Sequence, residues 1–283
     1  MLYRKVRNLS GRCGILTGAT SGVGRALARL LAERGVRLVI SGRRESRLND
    51  LASEYPGVLI PLSGDITNSK FQEELVGKAE AAFGGIDLVI AAAGAGAVGS
   101  FSESSLDTMR RVFEIDFFAP VELVYKSLPQ LKNGHAPAVV LIGSILGVHP
   151  LPLHGGYAAA KAALHGFASA VRPELASLGI DLNLAILGPT ESEFWDNLVA
   201  GERASWSQGR PLPAKTTAAA IIAALQIKVP LSKCLEAIKK FKGVKRRFDV
   251  QIKTSDLIYI DDYAHHPEEL KSLIDSLRMM YPD

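Results

Sequence analysis

Ser144, Tyr157 and Lys161 are of the types, and at the spacing, that a hydride-transfer site needs. Ser144 closes an apolar run, AVVLIGS (138–144), that reads as a buried strand; thirteen residues later Tyr157-Ala-Ala-Ala-Lys161 opens a segment of helical periodicity. Residues four apart on a helix share a face, so the phenol and the ammonium are neighbours. Free tyrosine titrates at about 10, and a nearby positive charge lowers that value toward the working range of a general acid or base. The Ser144 hydroxyl can then hold a substrate oxygen that becomes a carbonyl or an alcohol. A bare YxxxK also arises by chance, and a surface Tyr and Lys on an ordinary helix would explain it alone.

A second signal lies near the N-terminus. Cys13-Gly14-Ile15-Leu16-Thr17 is a short buried-strand pattern that runs into Gly18-Ala19-Thr20-Ser21-Gly22-Val23-Gly24, followed by a helical segment from Arg25 to Arg34 closed by Gly35. Strand, glycine turn and helix, in that order, are what a dinucleotide requires. The glycines let the backbone approach a pyrophosphate, whose charge sits at a helix N-terminus. The glycine spacing is G-x-x-x-G-x-G rather than G-x-G-x-x-G.

With these motifs in order, roughly residues 9–213 resemble the short-chain dehydrogenase/reductase family. TGATSGVG matches its TGxxxGxG cofactor loop, which implies contacts from Thr17, Gly18, Ser21, Gly22, Val23 and Gly24. Ser144, Tyr157 and Lys161 match its catalytic Ser, Tyr and Lys, with Lys161 also binding the nicotinamide ribose. Asp65-Ile66 matches the acidic position that reads the adenine. Three departures stand out. The family's NNAG is here Ala91-Ala92-Ala93-Gly94, so the bracing asparagine is missing, while Ala92 and Gly94 keep the cofactor side. Asp116 stands where the family has a catalytic Asn that holds a water in the proton relay; a carboxylate can do this too, or it can pair directly with Lys161 and retune it. The PGxxxT segment reads Leu187-Gly188-Pro189-Thr190-Glu191-Ser192, with Ser192 supplying the hydroxyl that grips the nicotinamide carboxamide and Gly188 beside it. Ala91, Ala92 and Asp116 favour a rival reading, a non-catalytic NADP-binding or redox-sensing protein.

Cofactor choice turns on the end of the second strand, VRLVISGRRESRL. An NAD site places an acid there for the ribose 2′-hydroxyl, and that acid repels a 2′-phosphate. Ser41-Gly42-Arg43-Arg44 has none, and a guanidinium takes a phosphate in a forked contact. The expectation is NADP(H) rather than NAD, with Ser41, Arg43 and Arg44 at the phosphate.

From residue 13 to about 190 the pattern alternates strand and helix, with apolar runs ending at Thr17, Ile40, Leu62, Ile90, Ile142 and Leu187. Continuous apolar runs imply strands buried on both faces, hence an α/β fold: a Rossmann-like doubly wound parallel sheet with helices on each side, and ligands at the strands' carboxyl ends. The chain has 283 residues, 47% hydrophobic and 22% charged, with a net charge of +4, the values of an ordinary soluble globule. The basic run Lys239 to Arg247 lacks aromatic interleaving, so no nucleic acid is expected. Two cysteines, Cys13 and Cys234, offer no disulfide framework, and the six histidines include no HExxH, so no metal site is expected. No apolar run reaches the roughly 18 residues of a membrane span, and no signal core precedes the first strand, which leads to a cytoplasmic expectation. Residues around 105–132 and 157–178 are the helices that pair between subunits in this family. With Phe113, Phe117, Phe118 and Leu123 in the first, a homodimer or homotetramer is expected.

After Pro211-Leu212-Pro213 the character changes. Residues 214–283 resemble the junction of the central and C-terminal domains of UDP-N-acetylmuramate–L-alanine ligase, through FKGVKRRFDV and Asp261-Asp262-Tyr263-Ala264-His265-His266-Pro267. No GxxxxGK[ST] loop occurs anywhere, so nothing cradles ATP phosphates. The division is therefore 1–213, a reductase domain, and 214–283, a truncated α/β ligase-like segment of a chimera packed on the first domain, its helices and LIYI strand replacing the lost end of the reductase fold. The alternative is a tail that keeps UDP-N-acetylmuramate or nucleotide binding through His265, His266 and the basic run.

Overall fold

The computed structural model describes residues 7–202, 211–226, 249–253, 258–261 and 274. Six strands, β1 (Cys13–Thr17), β2 (Arg37–Gly42), β3 (Leu59–Ser63), β4 (Leu88–Ala91), β5 (Ala138–Ser144) and β6 (Asp181–Leu187), form one parallel sheet in the order β3-β2-β1-β4-β5-β6. Order reverses between β1 and β4, which opens a crevice at their carboxyl ends. Successive residues along each strand enter opposite cores. Ile15, Val39, Val89 and Val139 face one cluster, while Leu16, Ile40, Ile90 and Val140 face the other. That is why the strands read as continuous apolar runs.

Helices α1 (Gly22–Ala32) and α2 (Glu45–Glu54) follow β1 and β2, and α3 (Ser69–Phe83) follows β3. Asn68 caps α3 by accepting from the Lys70 and Phe71 N–H groups, and Gly84 ends it with φ +79°. The expected helix at 105–132 is three pieces: α4 (Leu106–Phe113), a π-helical turn (Glu114–Phe118) and α5 (Ala119–Asn133). The pattern of a long helix carried no sign of that turn, which widens the coil by one residue at Asp116. Leu123 is fully buried, and Phe113 and Phe117 are partly covered by core side chains. Phe118 stays half exposed, so the apolar surplus is smaller than the sequence suggested. Helix α6 (Gly155–Ser177) carries Tyr157 and Lys161.

Helix α7 (Ala214–Gln226) lies in the same compact unit as the sheet. The physical reason is its apolar face: Ala218, Ile221, Ile222 and Leu225 are buried in the cluster that contains Leu27, Leu30 and Leu31 of α1. The second unit begins at Val229, and its described part is an antiparallel pair, β7 (Asp249–Lys253) and β8 (Ile258–Asp261). The LIYI strand, expected to restore the reductase edge, thus pairs with β7 in a two-stranded sheet instead of entering the six-stranded one. The basic run, Trp206, Cys234, His265 and His266 lie outside the described residues.

Candidate active site

Tyr157 and Lys161 sit on the first turns of α6, beside the carboxyl end of β5, and both are buried. Lys161 Nζ lies 5.7 Å from the Tyr157 ring centre and donates to the Ile142 carbonyl at 2.9 Å. Ser144 is buried at the last position of β5, and its Oγ accepts from the Leu146 N–H at 3.2 Å. The three expected residues are therefore brought together by one strand end and one helix start.

Asp116, in the π turn, points into this cluster. Its Oδ2 accepts from the Ala95 N–H at 3.2 Å, and its Oδ1 lies 2.9 Å from Lys161 Nζ. The Oδ1 contact is an ion pair without hydrogen-bond alignment. Gly94 makes room for it, since a Cβ there would lie 2.8 Å from Oδ1. The direct Asp116–Lys161 pairing anticipated from the sequence is present.

Burial pushes the Tyr157 phenol above its ordinary value; the Lys161 charge pulls it down, Asp116 pushes it up, and the nearby Ser144 hydroxyl pulls it down. The anticipated lowering by Lys161 exists but is outweighed. Burial works against the Lys161 ammonium too, yet Asp116 and Tyr157 hold its pKa above normal. Asp116 is raised by burial, against the opposing Lys161 charge and the Ala95 N–H. His165 lies two turns beyond Tyr157 on α6, and its Nε2 accepts the Ser144 N–H at 3.3 Å. Burial, then the Lys161 charge, push its pKa down, which keeps that nitrogen an acceptor. Its i, i+4, i+8 spacing with Tyr157 and Lys161 is the sequence signal that places it on their helix face.

The glycine loop is built for close backbone approach. Gly18 has φ +72°, and a Cβ there would sit 2.7 Å from the Ala92 carbonyl oxygen; one at Gly24 would be 2.2 Å from the Gly18 oxygen. Thr17 Oγ1 accepts the Ala92 and Ala93 N–H groups at 3.1 Å each, so this side chain braces β4 where the asparagine is missing. Helix α1 starts at Gly22 behind Ser21, whose side chain makes no capping bond, and no acid lies in the first turn. Those N–H donors and the helix dipole fit an anion such as a pyrophosphate. Val23 packs on the core beneath.

At the end of β2, Ser41 is buried and its carbonyl accepts the Ala19 N–H at 3.0 Å, tying this strand to the glycine loop. Arg43 is exposed. Arg44 donates to Thr20 Oγ1 at 3.1 Å and to Glu193, and Arg47 donates to both Glu193 oxygens. Arg47 and Glu193 had no local signal in the sequence. Asp65 accepts from the Thr67 N–H and from Arg111; burial pushes its pKa up, but these donors hold it below the usual range. Ile66 packs on the core. Gly188 and Ser192 are exposed, and the Ser192 hydroxyl accepts the Phe194 N–H at 3.3 Å within its own turn. Phe194 sets its ring edge-on to Tyr157, centroids 5.4 Å apart. Among the described residues no cluster of His, Cys, Asp and Glu could hold a metal ion, and no helix is long and apolar enough to cross a membrane.

This sheet order, with a glycine loop after β1 and helices on both faces, is that of a Rossmann-like α/β fold. The short chain dehydrogenase family model matches residues 12–203, and the chain belongs to that family. It is 32% identical over 192 residues to a short chain dehydrogenase of Pseudocercospora fijiensis, covering 66% of this chain and 62% of that one. It is 34% identical over 197 residues to human dehydrogenase/reductase SDR family member 7, covering 66% and 58%. The chain thus spans about three fifths of the length of these two relatives. A solved short-chain dehydrogenase from Streptomyces avermitilis matches with a TM-score of 0.71 at 27% identity, covering 82% of this chain and 95% of that one.

Proposed function

We propose that the protein is an NADP(H)-dependent oxidoreductase that interconverts a carbonyl and a secondary alcohol on a small molecule, with Ser144, Tyr157, Lys161 and Asp116 as its working residues. The observation that carries this reading is that Ser144, Tyr157 and Lys161 are all buried at the end of β5 and the start of α6, with Lys161 Nζ 5.7 Å from the Tyr157 ring centre. The nicotinamide supplies or accepts the hydride. Tyr157 gives a proton to the substrate oxygen in reduction and takes it in oxidation, Ser144 holds that oxygen, and Lys161 stabilises the phenolate through its charge. The glycine loop from Thr17 to Gly24, with Ala92, Gly94, Asp65, Ile66, Gly188 and Ser192, holds the cofactor. The absent acid and the arginines after β2 support NADP(H) over NAD.

The test is reduced-nicotinamide oxidation across aldehydes, ketones and quinones, repeated with Tyr157→Phe. Turnover should fall by about 10²–10⁴, with cofactor affinity changed less than about twofold. Wild-type turnover in the variant would refute the assignment, and NADPH binding without turnover on any substrate would favour the non-catalytic reading. Exposed Phe118 and Tyr125 support self-association through α5.

For residues 214–283 we infer a structural rather than a ligase role, supported by the burial of α7 within the first unit. Truncation after Pro213 should lower the melting temperature, whereas ATP hydrolysis dependent on UDP-N-acetylmuramate and alanine would reverse the inference.

A further inference from the structure

The arginines after β2 are gripped by an acid from the opposite end of the domain. Arg47 Nη1 donates to Glu193 Oε1 and Oε2 at 2.6 and 2.7 Å, and Arg44 Nη1 donates to Oε2. The other Arg44 terminal nitrogen donates to Thr20 Oγ1, inside the glycine loop. Glu193 also sits between two residues that touch the rest of the site. Ser192 rests against Gly22, where a Cβ would come within 2.7 Å of the serine's own Cβ. Phe194 covers the Tyr157 ring and fills the space beside Gly96, where a Cβ would be 2.6 Å from its Cζ. Three consecutive residues thus contact the glycine loop, the arginines and the tyrosine.

A carboxylate and a phosphate monoester call on the same forked guanidinium donors, and the phosphate brings more negative charge. We propose that Glu193 is a specificity-determining residue that competes with the cofactor's 2′-phosphate for Arg44 and Arg47, so that the phosphate releases Glu193 and with it the hold of Phe194 on Tyr157. The proposal rests on the NADP(H) reading of the β2 end. A 2′-hydroxyl carries no charge with which to displace the carboxylate, so NADH leaves the contact closed.

The test is titration of the full-length protein, as wild type, Glu193→Gln and Glu193→Ala, with 2′,5′-ADP, AMP, NADPH and NADH. Circular dichroism melting checks the fold of each variant. Both substitutions should tighten 2′,5′-ADP and NADPH by about tenfold, with AMP and NADH within about twofold. In a Trp206→Phe background, 2′,5′-ADP should change the emission of Trp195 and AMP should not. Unchanged 2′,5′-ADP affinity in both variants would overturn the proposal, as would equal gains for AMP. A loss of NADH affinity would also overturn it, by making Glu193 the ribose acid of an NAD site. A wild type that prefers NADH would refute the NADP(H) reading alone, because the competition would still require Glu193→Gln to shift the ratio toward NADPH.

Discussion

The ion pair beneath Tyr157 and the ion pairs beyond β2 join the same kinds of group in opposite surroundings. The Lys161 and Asp116 side chains are 5% and 0% exposed, whereas those of Arg44 and Glu193 are 33% and 38% exposed. A buried pair cannot open without leaving a charge in a medium that does not solvate it, so it stays where folding puts it. A half-exposed pair exchanges its partner for water or for another anion at little cost. The Tyr157 end of the site is thus held by contacts that resist rearrangement, and the β2 end by contacts that yield. Catalysis needs the first property and cofactor discrimination can use the second.

The largest break in this comparison should come from Asp116→Ala, which strands the Lys161 ammonium in the core. Losing one partner of a buried pair costs about 3–5 kcal/mol, and denaturant unfolding should register a loss of that size. A loss below about 1 kcal/mol would mean that Lys161 is solvated in a way its burial does not suggest. Asp116→Asn sharpens the point, because it keeps an acceptor for the Ala95 N–H and removes only the charge. Asp116 raises the Tyr157 pKa, so removing its charge lowers that pKa. In the proposed reduction Tyr157 works protonated, so kcat/KM should start to fall at a lower pH than in the wild type. An alkaline limb that stays in place, or moves up, would exclude Asp116 from the tyrosine's field.

The stiff end was also the legible one. Tyr157 and Lys161 announce themselves through a four-residue period, and Ser144 through the end of an apolar run, because helix and strand geometry convert spacing into placement. The sheet was readable for the same reason. Asp116 was identified by its alignment with a family position, but the π turn that aims it left no mark in the hydrophobic pattern, which fits an unbroken helix equally well. Glu193 pairs with Arg44 across 149 residues, a contact that no local period encodes. Thr17 taking over the brace of β4 was hidden too, since its hydroxyl acts on backbone N–H groups whose side chains, Ala92 and Ala93, say nothing about it.

At the yielding end, Arg43→Asp is the next largest effect. In the proposed NADP(H) site it would place a like charge beside the 2′-phosphate and remove one charge-assisted contact, about 1.5–3 kcal/mol or one to two decades of affinity. The NADPH-to-NADH affinity ratio should fall by at least tenfold, with melting temperature almost unchanged because the side chain is exposed. Equal loss for both cofactors would place Arg43 at a group that they share.

The smallest effect lies on α1, where Arg29 grips Glu54 of α2 through two bonds, Nε to Oε2 at 2.8 Å and Nη2 to Oε1 at 2.6 Å. This is a two-nitrogen fork, unlike Glu193, where Arg47 Nη1 alone serves both oxygens, and the Arg29 and Glu54 side chains are 42% and 38% exposed. Arg29→Ala should therefore cost only about 0.2–1 kcal/mol, and less at high salt, where the pair is screened. Bonding to Arg29 holds the Glu54 carboxyl below its ordinary value, against a smaller push from burial. A carboxyl depressed by folding contributes its stability above the unfolded pKa, about 4.3, and loses it as pH falls through the folded value. The difference between wild type and Arg29→Ala should accordingly be full at neutral pH and close as the solution is taken below pH ~4. A difference that persists at low pH would show that Arg29 acts through its alkyl stem packing on α1 rather than through its charge.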